Sequence, residues 1–391
     1  MNLDHVQSAG FDAERLRRLS QAISRDIAAQ RYDGAVLAVA RRGKPVLTEA
    51  FGYAHRDSER RMKADDVFLS FSVAKQFTHT LVLERIERGE LALTTRVADV
   101  IPEFANRGKE NITLFHVLTH TAGLTLKLPQ MDLMQMGTLE ATVAAACMSA
   151  VESVPGERVW YSGIIGTAIL AEVLRRVDGH GSGKRAYRDI LAQDLFVPLR
   201  MNDSALGVRA DLAARLCPVV ARDRLPGLSF AEEYEMFGAM VTADAEIPSL
   251  GCVTSAPDLL RFAEMLRNGG ALDGTRILSP AMVDLATRNH TGQMPNETWS
   301  FASGVRGWKP FPASLGLGFY LRGEQIAPNF LGTLTSPRTF GGMGAGSTMF
   351  WVDPERELSC VYLSSGLITW ELRNTDRMQR ISDLLVAALV D

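Results

Sequence analysis

The pattern of apolar and polar positions predicts strands near both ends of the chain and helices between them. Apolar residues recur at helical spacing over residues 11–31 and again from about 376 to 390. Apolar runs bounded by turn residues, which are typical of strands, lie at 34–40, 45–53, 315–321, 347–352 and 358–363. Most of the middle of the chain has helical periodicity, although residues 222–245 show no clear period and stay unassigned.

This order of elements predicts an α/β (α+β) fold. One antiparallel sheet would be assembled from both chain ends and flanked by helices, with a mostly helical domain inserted between them, as in β-lactamase-like folds. We expect a discontinuous sheet domain formed by residues 1–80 and 245–391 and an inserted helical domain formed by residues 81–244. The active site is expected between these two domains.

The most informative stretch is residues 68–77, which is predicted to begin a buried helix. Ser72 and Lys75 lie three residues apart and therefore share one face of that helix. A serine hydroxyl becomes a nucleophile when a neighbour takes its proton, and a lysine can do so where its surroundings hold the amine neutral. Ser-x-x-Lys is a weak pattern alone, but Lys75 is the only lysine in this chain with a serine three residues before it.

Composition narrows the class of protein. The chain has 391 residues, of which 46% are hydrophobic and 22% charged, and its net charge of -3 argues against nucleic acid or an anionic membrane as its partner. The first residues lack a basic segment followed by an apolar one, so we expect no signal peptide and a cytoplasmic location. The four cysteines match no disulfide or metal spacing, and His116 and His120 lack a third ligand. We therefore expect neither a metal nor an organic cofactor.

Four stretches together resemble a known family, the serine β-lactamase and penicillin-binding superfamily in its class C and family VIII carboxylesterase branch. The resemblance extends over roughly residues 10 to 385, nearly the whole chain. The stretches are Phe71-Ser72-Val73-Ala74-Lys75, Leu118-Thr119-His120-Thr121-Ala122-Gly123-Leu124, Pro155-Gly156-Glu157-Arg158 followed by Tyr161-Ser162, and Phe350-Trp351-Val352-Asp353-Pro354.

The resemblance implies a role for each catalytic residue. Ser72 would be the acylated nucleophile, Lys75 its proton partner, and Tyr161 a neighbour of both. A tyrosine beside a lysine ammonium can act as general base or relay the proton of the leaving group, and a neutral Lys75 is the alternative base. The backbone N–H groups of Ser72 and Ala345 would form the oxyanion hole.

Two departures from the family pattern affect the expected substrate. Gly163 stands where the second motif has Asn, and Gly342-Met343-Gly344 stands where the third motif opens with Lys, His or Trp. We expect these positions, with Trp160, to line the substrate site. The Asn would bind a substrate amide and the cation a substrate carboxylate. Their loss predicts little β-lactamase or peptidase activity and a more apolar acyl group.

The leading interpretation is a serine carboxylesterase that cleaves small esters through an acyl-Ser72 intermediate. An acyltransferase (transesterase) or an amidase would use the same acyl-enzyme, and the methionine-rich segment 126–136 and the aromatic-rich segment 299–308 would suit a bulky acyl acceptor. The third interpretation is a non-catalytic binding scaffold. The motif departures motivate that interpretation, whereas the presence of Ser72, Lys75 and Tyr161 together argues against it.

Overall fold

The computed structural model describes residues 3–126, 137–178, 185–225 and 230–390, apart from the side chains of residues 3–5 and 301–303. In chain order, the helices α1 to α13 are Leu3–Ser8, Ala13–Ala28, Ala74–Glu87, Val97–Val100, Leu114–Leu118, Leu139–Met148, Ile165–Val177, Tyr187–Leu191, Ala231–Met240, Ala256–Arg267, Pro280–Ala286, Ser300–Val305 and Glu371–Val386. The strands β1 to β14 are Gly34–Arg41, Lys44–His55, Arg60–Arg61, Val67–Leu69, Ala205–Leu206, Ala221–Asp223, Cys252–Ser255, Ala271–Leu272, Thr275–Arg276, Tyr320–Leu321, Phe340–Gly344, Thr348–Asp353, Leu358–Ser365 and Leu367–Ile368. Within these residues, every helix is too short or too polar to cross a membrane.

A seven-stranded antiparallel sheet lies at the centre, with the strand order β10-β11-β12-β13-β1-β2-β3. The N-terminal hairpin β1–β2 therefore pairs with strands from the last fifth of the chain, through β1 and β13. This arrangement confirms the predicted fold class of an antiparallel sheet flanked by helices. The division into domains at residues 81 and 244 stays a prediction.

Both faces of the sheet are buried, which explains the continuous apolar runs of its central strands. In β1, Val36 and Ala38 belong to the core that contains α3 and α10, whereas Ala35 and Leu37 face the core formed with α2 and α13. Successive residues of a strand point to opposite faces, so a strand covered on both sides must be apolar at every position. The sequence of β1 accordingly lacks the alternation of a half-exposed strand.

A short turn before α3 is held by two different sheets. The Ser70 hydroxyl donates to the carbonyl of Cys252 on β7 over 2.8 Å. In return, the Ser70 carbonyl accepts from the Thr348 hydroxyl on β12, also over 2.8 Å. The next residue, Phe71, adopts a φ of 47°, a left-handed conformation that is strained for a residue with a large side chain. These contacts fix the direction in which Ser72 enters the following 3₁₀ turn.

The predicted strand at 315–321 is a strand only at its last two residues, in β10. Its glycine-rich part instead forms backbone hydrogen bonds with two helices, α5 and α3. The N–H of Gly318 donates to Leu118 O over 2.9 Å, and the Gly318 carbonyl accepts from Gln76 Nε2 over 3.0 Å. His79 Nδ1 lies 3.3 Å from the same carbonyl. The segment is therefore a support for α3 rather than a longer strand.

Phe77 joins the helical and sheet-facing parts of the core, and its truncation should destabilise the protein. Its buried ring meets Phe196 edge-on at 5.2 Å between centroids and Phe262 at 4.9 Å. We expect Phe77→Ala to lower the free energy of unfolding by about 3–5 kcal/mol in urea titrations, since it leaves a cavity between two rings. The matched control Phe230→Ala removes a ring that is 60% exposed and should cost less than about 0.5 kcal/mol. Equal effects of the two substitutions would contradict this account of the core.

Candidate active site

Helix α3 is buried on all sides over Ala74 to Arg85, so each of its polar side chains needs a partner inside the protein. Gln76 donates to Gly318 O, and Thr78 Oγ1 lies 2.6 Å from the hydroxyl of Tyr187. These bonds lie on different faces of the helix and fix its rotation. The face that carries Lys75 is thereby directed to a cavity.

The Ser72 hydroxyl lies between two groups that can exchange a proton with it. Lys75 Nζ is 3.0 Å from Ser72 Oγ, and the hydroxyl of Tyr161 is 2.8 Å from the same atom. Lys75 Nζ also donates to the carbonyl of Ser249 over 2.9 Å, and Lys75 is only 3% exposed. This geometry meets one requirement for a serine to act as a nucleophile, which is a neighbouring group able to take its proton.

Two neighbours hold Tyr161 in place. Its backbone N–H donates to Thr298 Oγ1 over 3.1 Å, and its ring packs against the ring of His120 with centroids 4.9 Å apart. The His120 carbonyl accepts from the N–H of Trp160 over 2.8 Å, and His120 Nδ1 lies 3.4 Å from Ser162 Oγ. The histidine is thus bonded to the residues on both sides of Tyr161, which restricts the movement of the phenol.

The two histidines beneath the site are held neutral. Burial lowers the pKa of His79 to about 4, although its bond to the Gly318 carbonyl opposes this shift. Burial also lowers the pKa of His120 to about 3, with smaller contributions from His79 and from the positive charge of Lys75. Near neutral pH the surroundings of Tyr161 therefore include no imidazolium from these two residues.

Strand β11 passes so close to the turn before Ser72 that position 344 has no room for a side chain. A Cβ on Gly344 would lie 2.3 Å from Thr348 Oγ1 and 2.4 Å from Ser70 O. The next residue, Ala345, lines the same cavity as Ser72, and no described residue accepts a hydrogen bond from either backbone N–H. Two such donors beside a nucleophile are able to bind an oxyanion.

The cavity above Ser72 has a volume of about 390 Å³ and a mainly apolar wall. Helix α9 contributes Tyr234, Met236 and Phe237 to this wall. The apolar lining also includes Leu126, Val159, Ile164, Leu250, Trp299 and Leu315. Among the described residues, the charged side chains that line the cavity are those of Lys75, Glu233 and Glu371. Such a cavity suits an apolar acyl or alkyl group.

Most residues that the sequence assigned to the site come together in this cavity. Its lining includes Ser72, Lys75, Tyr161, Gly163, Met343, Gly344 and Ala345. Trp160 and Gly342 do not belong to the lining. The Trp160 ring lies under the guanidinium of Arg158 at 4.8 Å, and a Cβ on Gly342 would lie 2.3 Å from Gln76 Oε1. Gly342 thus faces the catalytic helix and not the substrate space.

Local sterics explain why residue 163 is Gly and not the Asn of the family motif. Gly163 adopts a φ of 51°, and a Cβ there would lie 2.9 Å from the carbonyl oxygen of Leu126. Asn tolerates left-handed backbone better than most residues, but here a neighbouring backbone occupies the position of its side chain. The local chain path therefore favours glycine at this position.

Several site residues could not be found from the sequence. Ser249 contributes only a backbone carbonyl, which leaves no signal in a residue pattern, and Thr298 acts through one hydroxyl on a short turn. Helix α9 lies in the stretch 222–245 that had no clear period. Of the two segments proposed to bind an acceptor, 299–308 contributes Trp299 to the cavity, whereas residues 127–136 of the methionine-rich segment lie outside the described residues.

The described part of the chain contains no group of three or more His, Cys, Asp or Glu residues placed to hold a metal ion. His116 and His120 do not converge on one point. His116 Nδ1 accepts from the N–H of Thr113, whereas His120 packs against Tyr161. All four cysteines are buried as free thiols.

Comparisons with known proteins identify the family of the chain. A family model described as Beta-lactamase matches residues 19–384, and the chain therefore belongs to the β-lactamase family. It is a hydrolase with the fold of the serine β-lactamases and penicillin-binding proteins.

Three individual proteins show the extent of the likeness. Penicillin-binding protein 4 of Amycolatopsis lactamdurans is 33% identical over 79% of this chain and 80% of its own length. The esterase/β-lactamase LipL of Mycobacterium tuberculosis is 27% identical over 87% of this chain and 79% of its own. The crystal structure of a penicillin-binding protein homologue from Caulobacter crescentus superposes with a TM-score of 0.77 at 25% identity. That match covers 97% of this chain and 99% of the homologue.

The neutral histidines should make the protein less stable in acid. An unfolded chain protonates each imidazole near pH 6.5, whereas folded His120 stays neutral to about pH 3, so its contribution is complete above pH 6.5 and is lost as pH falls. Between pH 7 and pH 5 this residue should cost about 2 kcal/mol of unfolding free energy. Urea titrations of His120→Gln should show a pH dependence smaller by that amount. Wild-type protein, titrated in parallel at pH 7 and pH 5, is the reference for this difference. An unchanged dependence in His120→Gln would refute a neutral His120.

Proposed function

We propose that the protein is a serine esterase that hydrolyses carboxylic esters through an acyl-Ser72 intermediate. The observation that carries this proposal is the Ser72 hydroxyl, bonded to both Lys75 and Tyr161 at the base of a mainly apolar cavity. The name of the M. tuberculosis relative, an esterase/β-lactamase, supports ester cleavage by a chain of this kind.

In the acylation step, Ser72 Oγ attacks the ester carbonyl carbon and its proton passes to the phenolate form of Tyr161 or to a neutral Lys75. The negative charge that forms on the carbonyl oxygen is stabilised by the N–H groups of Ser72 and Ala345. When the tetrahedral intermediate collapses, the bond to the alcohol oxygen breaks and that oxygen takes up the proton. Tyr161 is the better-placed donor, because Lys75 Nζ is also bonded to the Ser249 carbonyl.

In the deacylation step, water attacks the acyl-serine ester, releases the carboxylic acid and restores the Ser72 hydroxyl. The same proton partners serve in reverse, so Tyr161 or Lys75 now removes a proton from the water. An alcohol or amine in place of that water would make the protein an acyltransferase, with the same residues in the same roles. The choice between water and another acceptor depends on what enters the cavity beside Trp299.

Charge favours esters over β-lactams as substrates. A β-lactam carries a carboxylate close to its scissile bond. Among the described residues, the only cation that lines the catalytic cavity is Lys75, which is bonded to Ser72 and Ser249. Glu233 lines the same cavity and would repel an anion placed there. We therefore propose neutral acyl and alcohol groups around the scissile bond.

Removal of the nucleophile tests the proposal. Ser72→Ala should reduce hydrolysis of 4-nitrophenyl acetate and butyrate by about 10³-fold or more, because no other group would form the acyl-enzyme. Wild type should turn over nitrocefin poorly. Ser58→Ala, an exposed serine near the protein surface, is the matched control and should retain full activity.

Ester hydrolysis that persists in Ser72→Ala would refute acylation at this residue. Rapid nitrocefin turnover by wild type would contradict the charge argument. An acyl group that stays on Ser72 until an alcohol is added would identify an acyltransferase instead of a hydrolase.

A further inference from the structure

A second, smaller cavity adjoins the catalytic one, and we call it the side chamber. Asn296, Trp299, Tyr320 and Met343 line both spaces and form the wall between them. The side chamber has a volume of about 50 Å³, and its far side includes Arg322, Asn329 and Thr375. Since about 10–15 Å³ of such space holds one water molecule, the chamber has room for a small polar group.

Three polar atoms from residues of the side chamber are buried without a hydrogen-bond partner. They are Arg322 Nε, Asn329 Oδ1 and Thr375 Oγ1. Arg322 is 8% exposed and Thr375 is 2% exposed, so bulk water does not satisfy them. Nearly all buried polar atoms in proteins are paired, and these three belong to residues that line one cavity, so we expect a polar partner there.

Arg322 gives the chamber a positive charge. Its Nη1 donates to the carbonyls of Gly323 and Gln325 over 2.7 and 3.0 Å, and its Nη2 donates to Thr333 O over 2.9 Å. No carboxylate among the described residues forms an ion pair with it. Carbonyl dipoles hold the guanidinium in place but leave its charge uncompensated, which is costly in a buried position.

We propose that the side chamber binds a carboxylate at the end of the ester substrate remote from the scissile bond. The carboxylate would accept hydrogen bonds from Arg322 Nε and the Thr375 hydroxyl. Rotation of the Asn329 amide would supply a third donor in exchange for its 3.4 Å bond to the Ala327 carbonyl. The inference rests on the proposed esterase function and specifies its substrate as the monoester of a dicarboxylic acid or the ester of a hydroxy acid.

The position of the chamber separates such a substrate from a β-lactam. The wall formed by Tyr320 and Met343 lies between Arg322 and the catalytic cavity, so a flexible chain must carry the carboxylate past it. A carboxylate fixed beside the scissile bond stays in the catalytic cavity with Glu233 and Glu371. Chain length should therefore determine which anionic esters are accepted.

The test compares matched esters that differ only in a terminal carboxylate. One series consists of the mono-4-nitrophenyl esters of adipic, pimelic, suberic and azelaic acids, against the 4-nitrophenyl esters of hexanoic to nonanoic acids. A second series places the carboxylate on the alcohol side, as the acetates of ω-hydroxy acids against the acetates of 1-alkanols. At one chain length, the acid-terminated ester should exceed its neutral partner by about tenfold or more in kcat/KM, as a charge-assisted hydrogen bond predicts.

Two substitutions test whether the preference for acid-terminated esters arises in the side chamber. Arg322→Met and Thr375→Val should each lower the ratio of kcat/KM for acid-terminated to neutral esters towards one. Thr375→Val is nearly isosteric and removes an unpaired hydroxyl, so it remains informative if Arg322→Met fails to fold. Arg338→Met is the matched control, since the Arg338 side chain is 63% exposed and close to Asp284, and it should leave the ratio unchanged.

If neutral esters are cleaved but the ratio of kcat/KM for acid-terminated to neutral esters is near one at every chain length, the carboxylate site is overturned. The esterase proposal would then still stand. An equal loss of both ester types in Thr375→Val would assign the residue a structural role and also overturn the proposal. If no ester is cleaved, calorimetry of adipate and its homologues with Ser72→Ala tests the chamber directly. Equal affinity, or none, in Ser72→Ala and Ser72→Ala/Thr375→Val would then exclude the site.

Discussion

The arrangement of the site depends on one buried amino group. Lys75 Nζ is held between Ser72 Oγ and the Ser249 carbonyl, inside a helix that is buried on every side. A lysine in such a place is stable only if fixed oxygen atoms surround it, so the chain must bring a carbonyl from residue 249 to a helix that begins at residue 74. Other polar groups of α3 make the same demand, and segments distant in sequence meet much of it. The backbone at Gly318, for example, serves both Gln76 and His79.

The sheet supplies the second constraint. Because β1 pairs with β13, and β12 with β13 and β11, strands from the end of the chain lie beside the turn that precedes Ser72. The Thr348 hydroxyl binds the Ser70 carbonyl, and β11 passes close enough to exclude a side chain at Gly344. The left-handed Phe71 is held between these contacts. The proposed nucleophile, proton partners and oxyanion donors are therefore positioned by separate parts of the chain, in a family whose fold this protein shares.

Much of the fold was predictable, since long periodic segments determine their own structure. The hairpin of β1 and β2, the strands β12 and β13 and the helices α2 and α13 all correspond to clear patterns in the sequence. The triad of Ser72, Lys75 and Tyr161 was predictable from motif order, and the structure brings those three side chains together. The carbonyl of Ser249 was not predictable, because any residue can supply one. Helix α9 was missed because its residues are neither regularly apolar nor regularly polar. The position of Gly342 outside the cavity lining was not predictable, because the pattern does not reveal that Gln76 fills that side of the strand.

The central claim is that an acyl group passes through Ser72, and trapping that group tests it most directly. Wild type and Tyr161→Phe would be mixed with 4-nitrophenyl butyrate and quenched in acid. The proteins would then be digested and the peptide masses measured by mass spectrometry. The account predicts a butyryl group on the peptide that contains Ser72. Accumulation should be greater in Tyr161→Phe, because 4-nitrophenolate leaves without a proton donor and loss of the phenol hydroxyl therefore slows acylation less than the attack of water. Sustained ester turnover with no acyl group on that peptide, or with the group on another residue, would contradict it.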